Sequence, residues 1–236
     1  MPNIRRQQGF TLVEMAIVLV IIGLLLGGIL KGQELITSAR VRNIADQNSG
    51  VQAAYYGFID RYRQVPGDWG KDSAKNSIPG VTTGGNSNGR LDGGTSPWVE
   101  ALALWEQLSK SGFIQGSYIG GSAKPNQDDV NLAPRNAFNG FLMLFSSDDY
   151  EDGTSNSPSE KLNLVLGAGI PVNVIAELDR KIDDGLPESG VVRQAVTTGG
   201  TFDEISNSKA DCVDAQTPAI WDIAKNEQNC NAVYLY

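Results

Sequence analysis

The stretch QQGFTLVEMAIVLVIIGLLLGGIL at residues 7–30 contains a single charged side chain, the carboxylate of Glu14. An α-helix over residues 10–30 would be about 30 Å long, which matches the hydrocarbon core of a bilayer. Arg5 and Arg6 precede this helix. By the positive-inside rule they keep the N-terminus cytoplasmic and send the rest of the chain across the membrane. The stretch therefore predicts a membrane-spanning helix with one carboxylate near its N-terminal end.

Two ordinary explanations of this segment leave Glu14 without a purpose. A secretory signal peptide needs a cleavage site of small residues directly after the apolar run. The sequence there is KGQELITSAR at residues 31–40, which is polar, and its one weak candidate is Ser38-Ala39. A plain single-span anchor would merely tolerate a carboxylate near its end, where insertion costs less than at the helix centre.

The segment GFTLVEMAIVLVIIGLLLGGIL at residues 9–30 closely resembles the N-termini of type IV pilins and of the pseudopilins of type II secretion. The resemblance implies cleavage by a prepilin peptidase between Gly9 and Phe10, followed by N-methylation of the new amine of Phe10. Glu14 then occupies the fifth mature position, which is the hallmark glutamate of that family. The resemblance covers only the N-terminal part of the chain.

A physical argument gives Glu14 a role in assembly. A carboxylate in lipid is unfavourable alone and is stabilised by pairing with a cation. In a bundle of subunits, Glu14 of one chain would meet the Phe10 ammonium of a neighbour and set the axial register of the filament. The resemblance implies three partners: other filament subunits, the prepilin peptidase and an inner-membrane assembly platform.

The domain prediction has four parts. Residues 1–9 are a cleaved leader, 10–30 a transmembrane and filament-core helix, 31–64 the amphipathic half of the same helix, and 65–236 a globular head. Pro66-Gly67 ends the helix. Its second half carries an apolar stripe at helical spacing, formed by Val41, Ile44, Asn48, Val51, Tyr55, Phe58 and Tyr62. We interpret this stripe as a helix lying on a sheet, and a coiled coil is the alternative.

The head combines helical and strand patterns. Residues 63–97 are rich in Gly, Asn, Ser and Pro and predict a long loop. Ser96, Pro97 and Gly112 delimit a helix with an apolar face. Further patterns predict a helix over 171–183 and strands within 138–147, 160–169, 190–196 and 231–236. We therefore expect an α+β, pilin-like fold, in which a long N-terminal α-helix packs on an antiparallel β-sheet head.

Composition argues against two functional classes. The formal net charge is −8 and the chain contains no histidine. An acidic surface does not suit nucleic acid, because phosphate binding needs clustered Lys and Arg. Histidine is the usual general base and metal ligand near neutral pH, and no nucleophile elbow, P-loop or dinucleotide fingerprint is present. We expect no catalytic residues and no enzymatic activity.

Cys212 and Cys230 are the two cysteines. In an exported domain they would form a disulfide, and in a cytosolic chain free thiols. The resemblance places the head outside the cytoplasm and implies a disulfide that closes a C-terminal loop. Zinc binding is a poor alternative, because two sulfurs without histidine make an incomplete site.

The segment GGNSNGRLDGG at residues 84–94 is similar to a calcium-binding loop, with Asn86, Asn88 and Asp92 as oxygen ligands. The first ligand position is Gly84, and no glutamate stands at the twelfth. A plain Asn/Gly turn is the alternative. We expect no cofactor other than this possible structural calcium.

The sequence thus predicts a structural subunit of a type IV pilus-like filament, polymerised through its N-terminal helix. Two alternatives remain open: a pseudopilin of a type II secretion system, and a minor pilin whose head is an adhesin or binding module. Before assembly the chain would cross the inner membrane once, with a cytoplasmic N-terminus and a periplasmic head. Afterwards it would lie in an extracellular pilus or a periplasmic pseudopilus.

Overall fold

The computed structural model forms two compact units, Met1–Ala39 and Arg40–Tyr236. It describes residues 11–92, 96–126, 128–154, 158–196 and 210–236. Helix α1 spans Leu12–Tyr62, so its first part belongs to one unit and its second part to the other. We refer to described residues 11–39 as the N-terminal segment and to the unit Arg40–Tyr236 as the head.

The described part of the head contains three further helices and six strands. The helices are α2 (Lys71–Ser77), α3 (Pro97–Lys110) and α4 (Val172–Ile182). The strands are β1 (Met143–Ser147), β2 (Lys161–Val165), β3 (Val192–Gln194), β4 (Val213–Asp214), β5 (Ile220–Trp221) and β6 (Ala232–Leu235). A 3₁₀ turn, Ala210–Cys212, precedes β4.

Four strands form the main sheet in the order β1-β2-β6-β3, and every pair is antiparallel. The C-terminal strand β6 therefore lies inside the sheet, with Leu164 opposite Tyr234 on one side and Val192 opposite Tyr234 on the other. A separate hairpin pairs β4 with β5. The predicted α+β fold, a long N-terminal helix followed by an antiparallel sheet, is confirmed.

The second part of α1 contributes one face to the core of the head. Its buried residues are Val41, Ile44, Asn48, Val51, Ala54, Tyr55 and Phe58, which confirms the predicted stripe apart from Tyr62, which is half-buried. The polar member of the stripe, Asn48, accepts a hydrogen bond from the C-terminal Tyr236 hydroxyl at 2.9 Å. The C-terminus of the chain is thus tied to α1.

Helix α1 ends two residues before the predicted position. Arg63 follows its last residue with φ of +55°, and its N–H donates to Ile59 O at 2.8 Å. A residue in the left-handed region at this position commonly terminates a helix, although it is usually glycine.

Two parts of the head differ from the sequence prediction. The predicted loop 63–97 contains helix α2, which is only seven residues long and buries one side chain, Ala74. Such a short helix shows no apolar periodicity that a sequence pattern would reveal. Strands β4 and β5 were not predicted either, because two-residue strands are too short to show alternation.

Ser96 occupies the N-cap of α3 as predicted, but its side chain makes no capping hydrogen bond.

Candidate functional site

The N-terminal segment presents an apolar helical surface to its surroundings. The large side chains from Leu12 to Ile36 are 46–85 % exposed. Among the described residues, α1 is the one helix long and apolar enough to cross a membrane. A continuous apolar surface of this size is unfavourable in water, so it requires cover by lipid or by other apolar helices.

Glu14 has a local partner in this segment. Its Oε2 accepts hydrogen bonds from Thr11 N at 2.8 Å and from Thr11 Oγ1 at 2.9 Å, and its own N–H donates to Thr11 Oγ1 at 3.2 Å. This reciprocal arrangement is a capping box, in which two otherwise unpaired donors of the first helical turn are satisfied. Glu14 therefore caps the start of α1, in addition to any role in assembly.

Sequence reasoning missed this capping box, although the signal was present. Thr11-Leu-Val-Glu14 has the spacing of Ser/Thr followed three residues later by Glu, directly before an apolar run. Gly9 and Phe10, the predicted cleavage and methylation residues, lie outside the described part of the chain. The proposed pairing of Glu14 with a neighbouring Phe10 stays a prediction.

A second region of interest is the C-terminal loop of the head. The structure joins Cys212 to Cys230 in the predicted disulfide, with Cα atoms 5.8 Å apart. Both cysteines are fully buried. The closed loop contains the β4–β5 hairpin, and Trp221 of β5 donates from Nε1 to Asp179 Oδ2 of α4 at 2.7 Å. The loop is therefore held by a disulfide, by this buried hydrogen bond to α4, and by further hydrogen bonds that join Glu227, Asn229 and Cys230 to residues 169–172.

Removal of the disulfide is expected to destabilise the head. Replacing both Cys212 and Cys230 by alanine should lower the free energy of unfolding by about 3 kcal/mol, because the cross-link restricts the unfolded chain. Denaturant unfolding of the full chain in detergent micelles measures this difference. Reduction of the native protein is the matched control and should approach the variant. A loss below about 1 kcal/mol would contradict the expectation.

Asp179 is a buried carboxyl that meets both the loop and the end of α4. It is 0 % exposed. Burial raises the pKa of Asp179 to about 6, against the opposing effect of hydrogen bonds from Trp221 Nε1 and Gly185 N. The nearby charges of Asp183 and Asp184 raise the pKa further. Its ionised form is thus disfavoured in the folded protein.

The elevated pKa of Asp179 predicts a pH-dependent stability. An unfolded aspartate has a pKa of about 3.9, so between about pH 4 and pH 6 the folded chain keeps a proton that the unfolded chain has lost. The protonated carboxyl of the folded chain thus contributes a stabilisation that is complete below about pH 4 and is lost as the pH rises through about 6. The free energy of unfolding of Asp179→Asn, relative to that of the native chain, should therefore rise by about 2 to 3 kcal/mol between pH 4 and pH 7. Unfolding at both pH values measures it, and a constant difference would contradict it.

Asp179, Asp183 and Asp184 have carboxylate oxygens within 4.8 Å of one another. Asp183 and Asp184 already accept hydrogen bonds from the chain that follows α4, at the start of β3 and in the preceding loop. Asp183 Oδ2 accepts from Val192 N at 2.8 Å, and Asp184 Oδ2 accepts from Ser189 Oγ at 2.6 Å. These contacts hold the turn that follows α4.

The residues of the predicted calcium loop lie close together, and their side chains bond to one another and to backbone N–H groups of the same loop. Asn88 Nδ2 donates to both carboxylate oxygens of Asp92, at 3.1 and 3.0 Å. The side-chain oxygens of Asn86 and Asn88 accept from the backbone N–H groups of Asn88 and Arg90. Such Asx turns are typical of Asn-rich turns. Calcium at this loop stays a prediction.

Sequence reasoning missed three buried carboxylates that hold residues 82–92, which we call the 82–92 loop. Asp68 accepts from the N–H groups of Asn88 and Gly89, at 3.0 and 2.8 Å. Glu100 of α3 accepts from the N–H groups of Asn86 and Asp92, at 3.2 and 3.0 Å. The third carboxylate, Glu106, also lies on α3 and binds the start of the loop. A buried charge without a partner is costly, so each of these acids is stabilised by the N–H groups it binds.

Glu106 accepts four hydrogen bonds from two neighbouring threonines. One oxygen accepts from Thr82 N at 3.0 Å and Thr82 Oγ1 at 2.6 Å. The other accepts from Thr83 N at 2.8 Å and from Thr83 Oγ1. Gly85 brings the loop against residue 68, since a Cβ there would lie 2.6 Å from Asp68 Cα. One signal did exist in the sequence: EALALWEQL at 100–108 is apolar on several faces, which is typical of a buried helix.

Comparison with known families identifies the N-terminal part of the chain. Residues 4–30 match the family described as the prokaryotic N-terminal methylation motif. The chain thus carries the prepilin signal of type IV pilins and pseudopilins, which points to a structural subunit of the kind that assembles into filaments. No curated protein and no solved structure matches the chain significantly.

Proposed function

We propose that this chain is a structural subunit of a type IV pilus-like filament. A prepilin peptidase would cut it between Gly9 and Phe10, and the mature chain would polymerise through its N-terminal segment. The match to the methylation motif over residues 4–30 carries the proposal, because that span includes Gly9, Phe10 and Glu14, the residues at which we place the cut, the methylation and the intersubunit pairing.

The structure of the N-terminal segment supports polymerisation. Its apolar side chains are exposed over residues 12–36, and lipid or the helices of neighbouring subunits would cover them. While lipid covers these side chains, the chain crosses the inner membrane once, with a cytoplasmic N-terminus. Once the helices of neighbouring subunits cover them, the chain lies in an extracellular filament. The disulfide in the head agrees with export into an oxidising compartment.

The intact mass of the subunit in sheared surface filaments tests the proposal. We expect a chain that begins at Phe10 and carries one added methyl group. Gly9→Val is the matched control, because its branched side chain stands directly at the cut, and it should stay uncleaved and absent from filaments. An unprocessed native chain, or no assembled material in any fraction, would contradict the proposal.

A pseudopilin is the second candidate, because the same motif occurs at the N-termini of pseudopilins. The two candidates differ in where the processed chain accumulates. A processed, methylated chain that stays in the cell envelope and is absent from shed filaments would favour the pseudopilin.

A further inference from the structure

The head contains an open groove of about 280 Å³ beside α1. Three of its lining residues, Val51, Trp105 and Leu142, are buried, and we call them the floor. The other lining residues are half-buried or exposed and form the rim: Gln47, Gly50, Phe113, Ile114, Gln115, Tyr118 and Pro134. The groove thus has an apolar floor and a mainly apolar rim that is accessible from outside.

The walls of this groove carry no charge. None of its described lining residues is Asp, Glu, Lys or Arg. The same holds for the two chain segments that supply most of the rim, residues 47–59 of α1 and residues 111–123 after α3. Depletion of charge is typical of the buried centre of an interface between proteins.

An exposed apolar surface continues from the rim. Ile119 follows Tyr118 in the chain and is 49 % exposed, and Val130 is 64 % exposed. Ile119 N donates to Asn131 O at 2.8 Å, so the segments that hold Ile119 and Val130 lie side by side. Exposed apolar side chains grouped beside a groove indicate a surface that a partner covers.

The chain itself contains an occupant of matching chemistry. The large side chains of the N-terminal segment are apolar and exposed, and they require cover. From Met15 to Leu30 this segment carries no charge, whereas Lys31 and Glu34 come next. Burying either of these charges against an uncharged wall is costly, but burying residues 15–30 is favourable. The groove and residues 15–30 are therefore complementary in polarity.

We propose that the groove of one subunit receives an apolar side chain from residues 15–30 of a neighbouring subunit. A cavity of about 150 Å³ accommodates benzene, so the groove has room for one leucine or isoleucine side chain. Gly50 leaves its edge open, since a Cβ there would meet no atom within 4 Å. The inference rests on the proposed function, and it adds the surface of the head that the N-terminal segment contacts.

Photocrosslinking in assembled filaments tests this contact. Gln115→p-benzoylphenylalanine places the reactive group on an exposed residue of the rim. Trypsin releases residues 10–31 of the processed chain in one peptide and residues 32–40 in the next. We expect irradiation of sheared filaments to produce a dimer in which position 115 is joined to the peptide 10–31. Lys75→p-benzoylphenylalanine is the control, because Lys75 is exposed on α2 outside the lining, and it should not join that peptide.

Filling the groove is the second test. Gly50→Leu should lower the amount of subunit in sheared filaments about ten-fold, the effect of losing one buried aliphatic side chain from the contact. Ser49→Leu adds the same side chain at an exposed neighbouring position outside the lining and should assemble like the native chain. Thermal unfolding and the intact mass of membrane-held subunit show that both variants fold and are cleaved.

The inference is overturned if position 115 forms no cross-link, or joins residues 32–40, another part of the head or a different protein. Normal filaments from Gly50→Leu would also overturn it. In each of these cases the native chain still assembles, so the proposed function stands. Absence of assembled native chain would instead contradict the proposed function, and the inference with it.

Discussion

Replacing Glu14 by alanine is expected to abolish filament formation while membrane insertion and cleavage continue. Glu14 is the only charged residue between Phe10 and Leu30. An unpaired carboxylate at this depth is unfavourable, and pairing with the Phe10 ammonium of a neighbouring subunit would stabilise both groups. Loss of the carboxylate removes that intersubunit attraction without making the helix less apolar.

The capping box means that alanine changes two properties at once. Glu14 also accepts hydrogen bonds from Thr11, so Glu14→Ala removes a helix cap together with a charge. Glutamine serves as well as glutamate in a capping box. Glu14→Gln therefore keeps the cap and removes the charge, whereas Thr11→Ala removes the cap and keeps the charge.

The three variants separate the two roles. If charge pairing drives assembly, Glu14→Gln should fail like Glu14→Ala, and Thr11→Ala should still form filaments. The amount of subunit in sheared filaments measures assembly, and the intact mass of membrane-held subunit measures cleavage. Normal filaments from Glu14→Gln would contradict the pairing, and failure of Thr11→Ala alone would assign the defect to the cap.

Replacing Glu106 by alanine is expected to cause the largest loss of stability in the head. The buried carboxylate accepts four hydrogen bonds from Thr82 and Thr83, two from backbone N–H groups and two from hydroxyls. Alanine leaves these donors without their acceptor and opens space next to them. We expect the free energy of unfolding to fall by about 3 to 5 kcal/mol, because a hydrogen bond to a charged group contributes about 1.5 to 3 kcal/mol and water can replace the acceptor only at the exposed Thr82.

Two further variants control this experiment. Glu106→Gln keeps the shape and one acceptor oxygen, so it should lose less than alanine. Glu160→Ala removes an exposed carboxylate that pairs with Arg90 on the surface, and such pairs contribute about 0–1 kcal/mol. Thermal and denaturant unfolding of the full chain measure all three variants. A Glu106→Ala loss as small as that of Glu160→Ala would show that Glu106 does not hold the 82–92 loop.

The helix and the main strands were predictable because their signals are local. The stripe from Val41 to Phe58 repeats at the spacing of a helix, and the structure buries those residues. Segments rich in apolar and β-branched residues indicated β1, β2, β3 and β6 at the right places. The bounds were less certain, because the end of a helix depends on individual contacts such as Arg63 N to Ile59 O.

The contacts within the head were less predictable because they join distant residues. Glu106 and Thr82 are 24 positions apart, and Asp179 and Trp221 are 42 apart. No periodicity links such pairs, and the sequence does not show which of its many acids forms each contact. Cys212 and Cys230 are the exception, because the chain has only two cysteines.

The sequence by itself determined the prepilin signal, the apolar helix and the α+β class of the head, because each depends on residue type at short, regular spacing. Tertiary structure alone decided which acids hold the 82–92 loop and the burial that raises the pKa of Asp179. Burial, solvent exclusion and hydrogen-bond geometry are properties of the packed chain. They arise only when distant segments meet.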